Sequence, residues 1–209
     1  MHRLLRWGTI FLEVAMSKRM NTARITYVGM MVSLSVILSY FPEIPLAFFA
    51  PWLKLDFSFV PMMLVGFSMG PVASVFTLGI TMLFHGLGST TGWVGELANL
   101  LMGLAFLLPG AIIYQKKRTK SVALWSMLAG TILMSLVAMA CNRYILIPLY
   151  GGEAMLQSAG RTMTSYILFA ILPFNLLKGA VNSFPTFILY KRLSIVLREA
   201  EKKTDASCQ

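Results

Sequence analysis

The chain has 209 residues, of which 57% are hydrophobic and 12% are charged, and its net charge is +10 at pH 7. An ordinary soluble domain carries about 25% charged residues, so this composition argues against a water-soluble protein. A transmembrane helix needs roughly 20 apolar residues, so the length allows about six spans with short loops and no separate soluble domain. The basic charge therefore points to membrane topology rather than to nucleic acid.

Six apolar segments predict an all-α membrane protein with six transmembrane helices. Glycine and proline residues separate the segments, as expected for connections between helices. In chain order the predicted helices cover residues 25–41, 57–69, 72–87, 94–114, 122–149 and 163–193. We expect three regions, namely an N-terminal cytoplasmic arm at 1–23, a six-helix membrane domain at 24–195 and a cytoplasmic tail at 196–209.

Basic residues gather at the ends that would share one side of the membrane if six helices alternate. The N-terminal arm with the start of helix 1 holds five, the connection between helices 4 and 5 with its flanks holds four, and the C-terminal end holds five. Because Lys and Arg are enriched on the cytoplasmic side, both termini are predicted to be cytoplasmic. An odd number of spans would place one basic cluster outside, so the charge distribution independently favours six.

Several aromatic and polar residues near the predicted membrane surfaces have an ordinary interfacial explanation. Trp52 and Trp93 fall in the outer connections, where amphipathic rings anchor membrane proteins and where a ligand contact is the alternative. His85 lies near the outer end of helix 3. It is expected to be an interfacial polar residue, and a proton relay is the alternative. Arg143 is expected to extend its charge toward water.

Polar residues inside helix 4 are harder to explain by the membrane surface. Glu96 lies just inside the predicted outer end of this helix, and Asn99 follows three residues later on the same face. Ionisable groups at membrane depth cost several kcal/mol unless they are paired or wetted, so each marks a candidate functional site. Helix capping by Glu96 is the structural alternative.

Helices 5 and 6 carry further polar residues at membrane depth. Asn142 lies on helix 5, while Asn175 and Lys178 are three apart on helix 6, and Asn182 continues that stripe. Side-chain amides both donate and accept hydrogen bonds, which suits a neutral heterocycle that also carries hydroxyl groups. The alternative for the amides is hydrogen bonding between helices, which contributes about 0.6–2 kcal/mol each.

Helix 1 carries small residues at helical spacing, including Gly29 and Ser33. Such faces let helices approach closely in lipid, so this face serves either internal packing or docking to another subunit. Cys141 and Cys208 lie in different contexts, so a disulfide is not expected. We assign no metal and no cofactor to the chain.

Four stretches of the sequence resemble the riboflavin-specific S components of energy-coupling-factor (ECF) vitamin transporters. The resemblance covers about residues 24–195, and the short motifs KLDFS, GELAN and NLLKG carry it best. The longer stretches are FFAPWLKLDFSFVPMMLVGFSMGPVASV, STTGWVGELANLLMGLAFLLPGAIIY, NRYILIPLY and LPFNLLKGAVNSFPTFILYKRL.

The resemblance implies a six-helix S-component fold that captures riboflavin, and also flavin mononucleotide as a further ligand, from outside the cell. The family's ligand contacts match Glu96, Asn142, Asn175 and Lys178 in this chain, and we add Asn99 as a further candidate. The family docks on its membrane coupling subunit through an alanine-rich face of helix 1, whose place Gly29 and Ser33 take here.

We add a hypothesis about the mechanism, and the resemblance implies the partners. Trp52 and Lys54, in the first outer connection, are expected to fold over a pocket between helices 4, 5 and 6. The chain has no P-loop motif, so ATP hydrolysis would fall to two ATPase subunits that act through a membrane coupling subunit. The alternatives are an S component for thiamine or a pteridine, and a membrane enzyme that uses Glu96 and His85.

Overall fold

The structure is a computed structural model that describes residues 22–42, 44–45, 53–89, 92–149, 156 and 162–206. Its described residues form six helices and one pair of short strands. The first four helices are α1 (Thr22–Tyr40), α2 (Phe59–Met69), α3 (Pro71–Gly86) and α4 (Val94–Lys116). The fifth, α5, joins Lys120–Cys141, Asn142–Leu146 and Ile147–Leu149, and the sixth, α6, joins Met163–Tyr166, Ile167–Ile171 and Leu172–Ala206.

The two strands are a feature that the all-α prediction missed. Strand β1 (Ile44–Pro45) pairs antiparallel with β2 (Lys54–Leu55), so Ile44 lies opposite Leu55 and Pro45 opposite Lys54. This pairing closes the connection between α1 and α2 into a hairpin. The chain then enters α2 within four residues of β2, which brings the base of the hairpin close to the helix bundle.

Four of the six helices are long and apolar enough to cross a membrane. They are α1 and α4 together with the segments Lys120–Leu149 and Met163–Tyr190. By contrast, α2 has 11 residues and α3 has 16. At about 1.5 Å rise per residue, 11 residues extend roughly 16 Å, which is about half of a bilayer's hydrocarbon core. The number of complete spans therefore stays a prediction.

The short helix α2 lies inside the bundle. All of its residues from Phe59 to Phe67 are buried. Gly70 separates α2 from α3 with φ of 104°, a backbone conformation that favours glycine, and Pro71 begins α3. Pro at the first helical position loses no hydrogen bond, so this Gly-Pro pair provides a tight turn between two packed helices.

Two close crossings bring α4, α5 and α6 together. A Cβ atom on Gly130 of α5 would lie 2.5 Å from the backbone oxygen of Phe106 on α4. A Cβ atom on Gly179 of α6 would lie 2.4 Å from Cγ2 of Thr131 on α5. Glycine lets the helix backbones approach at both points, as small residues commonly do in membranes. These crossings fix the spacing of the three helices that carry the predicted site.

Both α5 and α6 contain one π-helical segment, at Asn142–Leu146 and Ile167–Ile171. These segments contact each other. A π turn inserts one residue into the helical repeat and is frequent at functional sites. Asn142 begins the first π segment, and Asn175 lies four residues beyond the second.

Candidate functional site

Lys178 is the centre of a buried polar cluster between α4, α6 and the residues that precede α2. Its side chain is 1% exposed. Its Nζ atom donates to Oδ2 of Asp56 at 2.8 Å and to Oδ1 of Asn99 at 3.0 Å. The same atom lies 4.9 Å from the centre of the Phe59 ring. One carboxylate, one amide and one aromatic face therefore surround the ammonium group.

Asp56 lies between β2 and α2, and its own contacts hold it in place. Its Oδ1 accepts hydrogen bonds from the backbone nitrogen and the hydroxyl of Ser58, and its backbone oxygen accepts from Nδ2 of Asn182 at 3.0 Å. Burial by itself would raise the pKa of Asp56, but the charge of Lys178 and the hydrogen bonds from Lys178 and Ser58 lower it overall. The surroundings of Asp56 thus favour its carboxylate form.

Asn142 and Asn175 are both buried and have the same local arrangement. The Nδ2 atom of each donates, at 2.8 Å, to a carbonyl of its own helix four residues earlier, at Ala138 and Ile171. A carbonyl only accepts, so the amide nitrogen must face it and the amide oxygen must point elsewhere. Oδ1 of Asn175 is buried and has no hydrogen-bond partner among the described residues.

Glu96 is buried at the start of α4 and contacts the end of α3. Its Oε1 lies 3.1 Å from Nδ1 of His85, and its Oε2 accepts from the hydroxyl of Ser89 at 2.8 Å. The same Ser89 hydroxyl accepts from the backbone nitrogen of Trp93 at 3.1 Å. His85 therefore has a specific partner, whereas the sequence suggested an interfacial position for it.

The structure brings some of the predicted site residues together and separates others. Asn99 and Lys178 are in direct contact. Glu96 and Asn99 were predicted to share one face of helix 4. In the structure, Glu96 contacts side chains of α3 and of the loop that follows it. Asn99 contacts Lys178 on α6. Asn175 lies one turn before Lys178 on α6, and Asn142 lies on α5 beside the contact of the two π segments.

The remaining predicted residues are Lys54, Trp52 and the two small residues of α1. Lys54 is exposed on β2. Trp52 lies outside the described residues, and so does most of the N-terminal arm. On α1, Gly29 and Ser33 are exposed, no atom lies within 4 Å of a Cβ placed on Gly29, and the Ser33 hydroxyl donates to the Gly29 carbonyl at 3.0 Å.

A cavity of about 580 Å³ lies between α3 and α4. Its wall is apolar except for Glu96, and it includes Met82, Leu83, Trp93 and Leu97. This cavity is on the α3 side of α4, whereas the predicted pocket lies between α4, α5 and α6. Glu96 borders the cavity and stands one helical turn from Asn99.

Asp56 is the residue that sequence reasoning missed. It lies within the KLDFS motif but outside the predicted helices, so its burial was not apparent. A charge-balance argument would have found it, because a lysine at membrane depth requires a nearby anion. The acidic residues near predicted outer helix ends are Glu43, Asp56, Glu96 and Glu153, so charge balance alone would have left four candidates.

Comparison with known proteins gives consistent matches over most of the chain. Residues 23–190 match the family described as the ECF transporter, substrate-specific component. A relative from Staphylococcus aureus, riboflavin transporter RibU, is 34% identical over 84% of this chain and 92% of its own length. Riboflavin transporter FmnP from Bacillus subtilis is 29% identical over 83% of this chain and 93% of its own length.

A solved structure of the S component of a bacterial ECF transporter matches the fold. It superposes with a TM-score of 0.71 and 35% sequence identity, over 83% of this chain and 96% of that one.

Proposed function

The chain belongs to the family of substrate-specific components of ECF transporters, and from this membership we propose that it captures riboflavin outside the cell for ATP-driven uptake. It is a multi-pass protein of the cell membrane. Its role is that of a transport subunit rather than of a membrane enzyme, so the contact between His85 and Glu96 is not an active-site dyad.

The observation that carries the ligand assignment is the buried, acceptor-rich surface of α4, α5 and α6. Asn142 and Asn175 each donate one amide hydrogen to the helix backbone, and we propose that their oxygens accept hydrogen bonds from the ligand. The carboxylate of Glu96 is also an acceptor. Riboflavin supplies the complement, because its ring carries an imide N–H and its ribityl chain carries hydroxyl groups.

The proposed roles follow from this chemistry. Asn175 accepts from a ligand donor through its unpartnered Oδ1, and Asn142 and Glu96 accept from further donors. Lys178 and Asn99 donate hydrogen bonds to the carbonyl oxygens of the flavin ring. The apolar isoalloxazine surface packs among buried side chains, which contributes about 25 cal/mol per Å² removed from water. Trp52 and Lys54 of the first outer connection cover the pocket.

Membership of the family implies that the chain works with an ECF transporter module. We propose that this module comprises one membrane coupling subunit and two ATPases, and that α1 docks on the coupling subunit through Gly29 and Ser33. The exposure of both residues supports this assignment, as does the row of exposed apolar residues beside them. That row includes Ile25, Met30 and Ile37.

We also propose the six-span topology with both termini in the cytoplasm. The clustering of basic residues at the two ends of the chain and between α4 and α5 supports it. In this arrangement α2 and α3 are two of the six spans, and the other helices partly surround them. The start of α4 lies at the outer surface of the membrane.

A ligand titration tests the proposal. Riboflavin added to the purified protein should lose fluorescence on binding, and protein purified from cells grown with riboflavin should carry yellow flavin absorbance. Thiamine, a pteridine and flavin mononucleotide serve as matched competitors. A protein that leaves riboflavin fluorescence unchanged, but binds thiamine or the pteridine, would assign the chain to another vitamin.

A further inference from the structure

Lys178 requires a counter-charge before it can take part in ligand binding. The residue is 1% exposed and lies in a segment apolar enough to span a membrane. An isolated ammonium group in such a place loses its proton, because burial disfavours the charged form. Asp56 supplies the counter-charge at 2.8 Å, from a position 122 residues earlier in the chain.

The carboxylate of Asp56 is oriented independently of Lys178. Ser58 donates two hydrogen bonds to Oδ1, which leaves Oδ2 free for the ammonium group. Asn182, one turn beyond Lys178 on α6, holds the backbone oxygen of Asp56. Hydrogen bonds therefore fix both the carboxylate and its backbone before any ligand binds.

The ammonium group has three donor hydrogens, and its described contacts account for all three directions. Asp56 and Asn99 accept two of them, and the third direction faces the ring of Phe59. A ligand acceptor can therefore reach Lys178 by replacing the Asn99 oxygen. If the ligand displaced Asp56 from Lys178 instead, the buried carboxylate would lose its partner. That costs more than releasing the neutral amide of Asn99.

We propose that Asp56 is a positioning residue of the substrate site. It keeps Lys178 charged and holds its ammonium group in place while the ligand exchanges with Asn99. The same ion pair ties the base of the β1–β2 hairpin to α6, so it links the outer connection to the site. This inference rests on the proposed riboflavin-binding function and extends it to a residue outside the four family contacts.

Riboflavin titrations across a pH series test this role with Asp56→Asn. At neutral pH the variant should bind riboflavin at least about 10-fold more weakly than the wild type. A buried ammonium group without a counter-charge loses its proton more readily, so the variant's affinity should fall as the pH rises. The wild type should lack this additional loss, and Asp56→Glu should restore the wild-type profile.

The neighbouring elements supply few other titratable groups. In the described part of the chain, the titratable groups to consider are Lys54 on β2, His85 of α3 and Glu96 of α4, and all three remain in every variant. The contacts from α2 and α6 come from Phe59 and Asn182, which do not titrate. Asn182→Ala is the matched control, because it loosens the Asp56 backbone without changing charge and should add no pH dependence.

A double-mutant cycle covers the case in which Asp56→Asn alone does not fold. Asp56→Asn combined with Lys178→Met replaces the ion pair by a neutral pair and should bind riboflavin as Lys178→Met does. An additional loss of about 10-fold or more in the double variant would overturn the proposal, as would a single variant with wild-type affinity and pH profile. If the wild type itself does not bind riboflavin, the proposed function fails instead.

Discussion

Gly179 is the point at which a single added methyl group should separate the helices of the site. A Cβ atom there would lie 2.4 Å from Cγ2 and 2.6 Å from Oγ1 of Thr131. Carbon atoms prefer about 3.5–4.0 Å, so Gly179→Ala requires a local shift of roughly 1 Å between α5 and α6. Thr131 cannot rotate away freely, because its hydroxyl donates to the Met127 carbonyl and its χ1 angle is restricted in a helix.

Overpacking of this kind typically costs about 1–3 kcal/mol. For a chain of this length that loss lowers the melting temperature of the purified protein by roughly 2–12 °C. Because Gly179 adjoins Lys178, the shift should also weaken riboflavin binding. Both effects can be measured on one preparation, by thermal unfolding and by fluorescence titration.

Two further variants show whether the loss comes from the clash with Thr131 or from replacing any helical glycine by alanine. Gly79→Ala adds the same methyl group in α3, where no atom lies within 4 Å, and should leave stability within about 0.5 kcal/mol or raise it. Thr131→Ala should rescue Gly179→Ala in part, because it removes the two closest atoms. A Gly179→Ala protein with wild-type melting temperature and affinity would refute the described crossing of α5 and α6.

Three other substitutions test separate parts of the molecule. Asn175→Leu removes the unpartnered acceptor, so riboflavin titration should show a loss of about 10-fold or more with little change in melting temperature. Gln115→Ala removes hydrogen bonds to the carbonyls of Gly66 and Phe67, so stability should fall by about 1–2 kcal/mol in thermal unfolding, with riboflavin affinity retained. Gly29→Leu fills the exposed face of α1, so cellular uptake should fall while binding by the purified protein persists; equal uptake would remove this face from docking.

The positions of the helices could be predicted from the apolar segments of the sequence, because every helix that lies in lipid has to meet the same two conditions. Each span must satisfy its backbone internally and present apolar side chains, so hydropathy with Gly and Pro breaks gives the segments. The segment predicted at 57–69 is α2 (Phe59–Met69), and that predicted at 94–114 is α4 (Val94–Lys116). The last helix was predicted to end at 193 but continues to Ala206, because a helix does not need apolar residues once it leaves the membrane.

The strands and π segments could not be predicted in the same way. The β1–β2 pair has two residues in each strand, which is too short for an alternating pattern. A π turn depends on how a helix packs against its neighbours, and the sequence at Asn142–Leu146 carries no local signal for it.

The candidate site was predictable to the extent that polar groups are rare in apolar helices. Lys178, Asn175, Asn142 and Glu96 stood out individually, and the structure shows that all four are buried. The partner of Lys178 could not be read from spacing, since Asp56 is 122 positions away and approaches through a hairpin. Which helix each polar face contacts is a tertiary property, and it differs for Glu96 and Asn99.

A crystal structure of the protein with bound riboflavin is the sharpest test of where the ligand binds. We expect flavin between α4, α5 and α6, with its polar atoms within about 3.2 Å of side-chain atoms of Asn142, Asn175, Glu96 and Lys178. Riboflavin bound instead in the apolar cavity between α3 and α4, without contact to Asn142, Asn175 or Lys178, would contradict it.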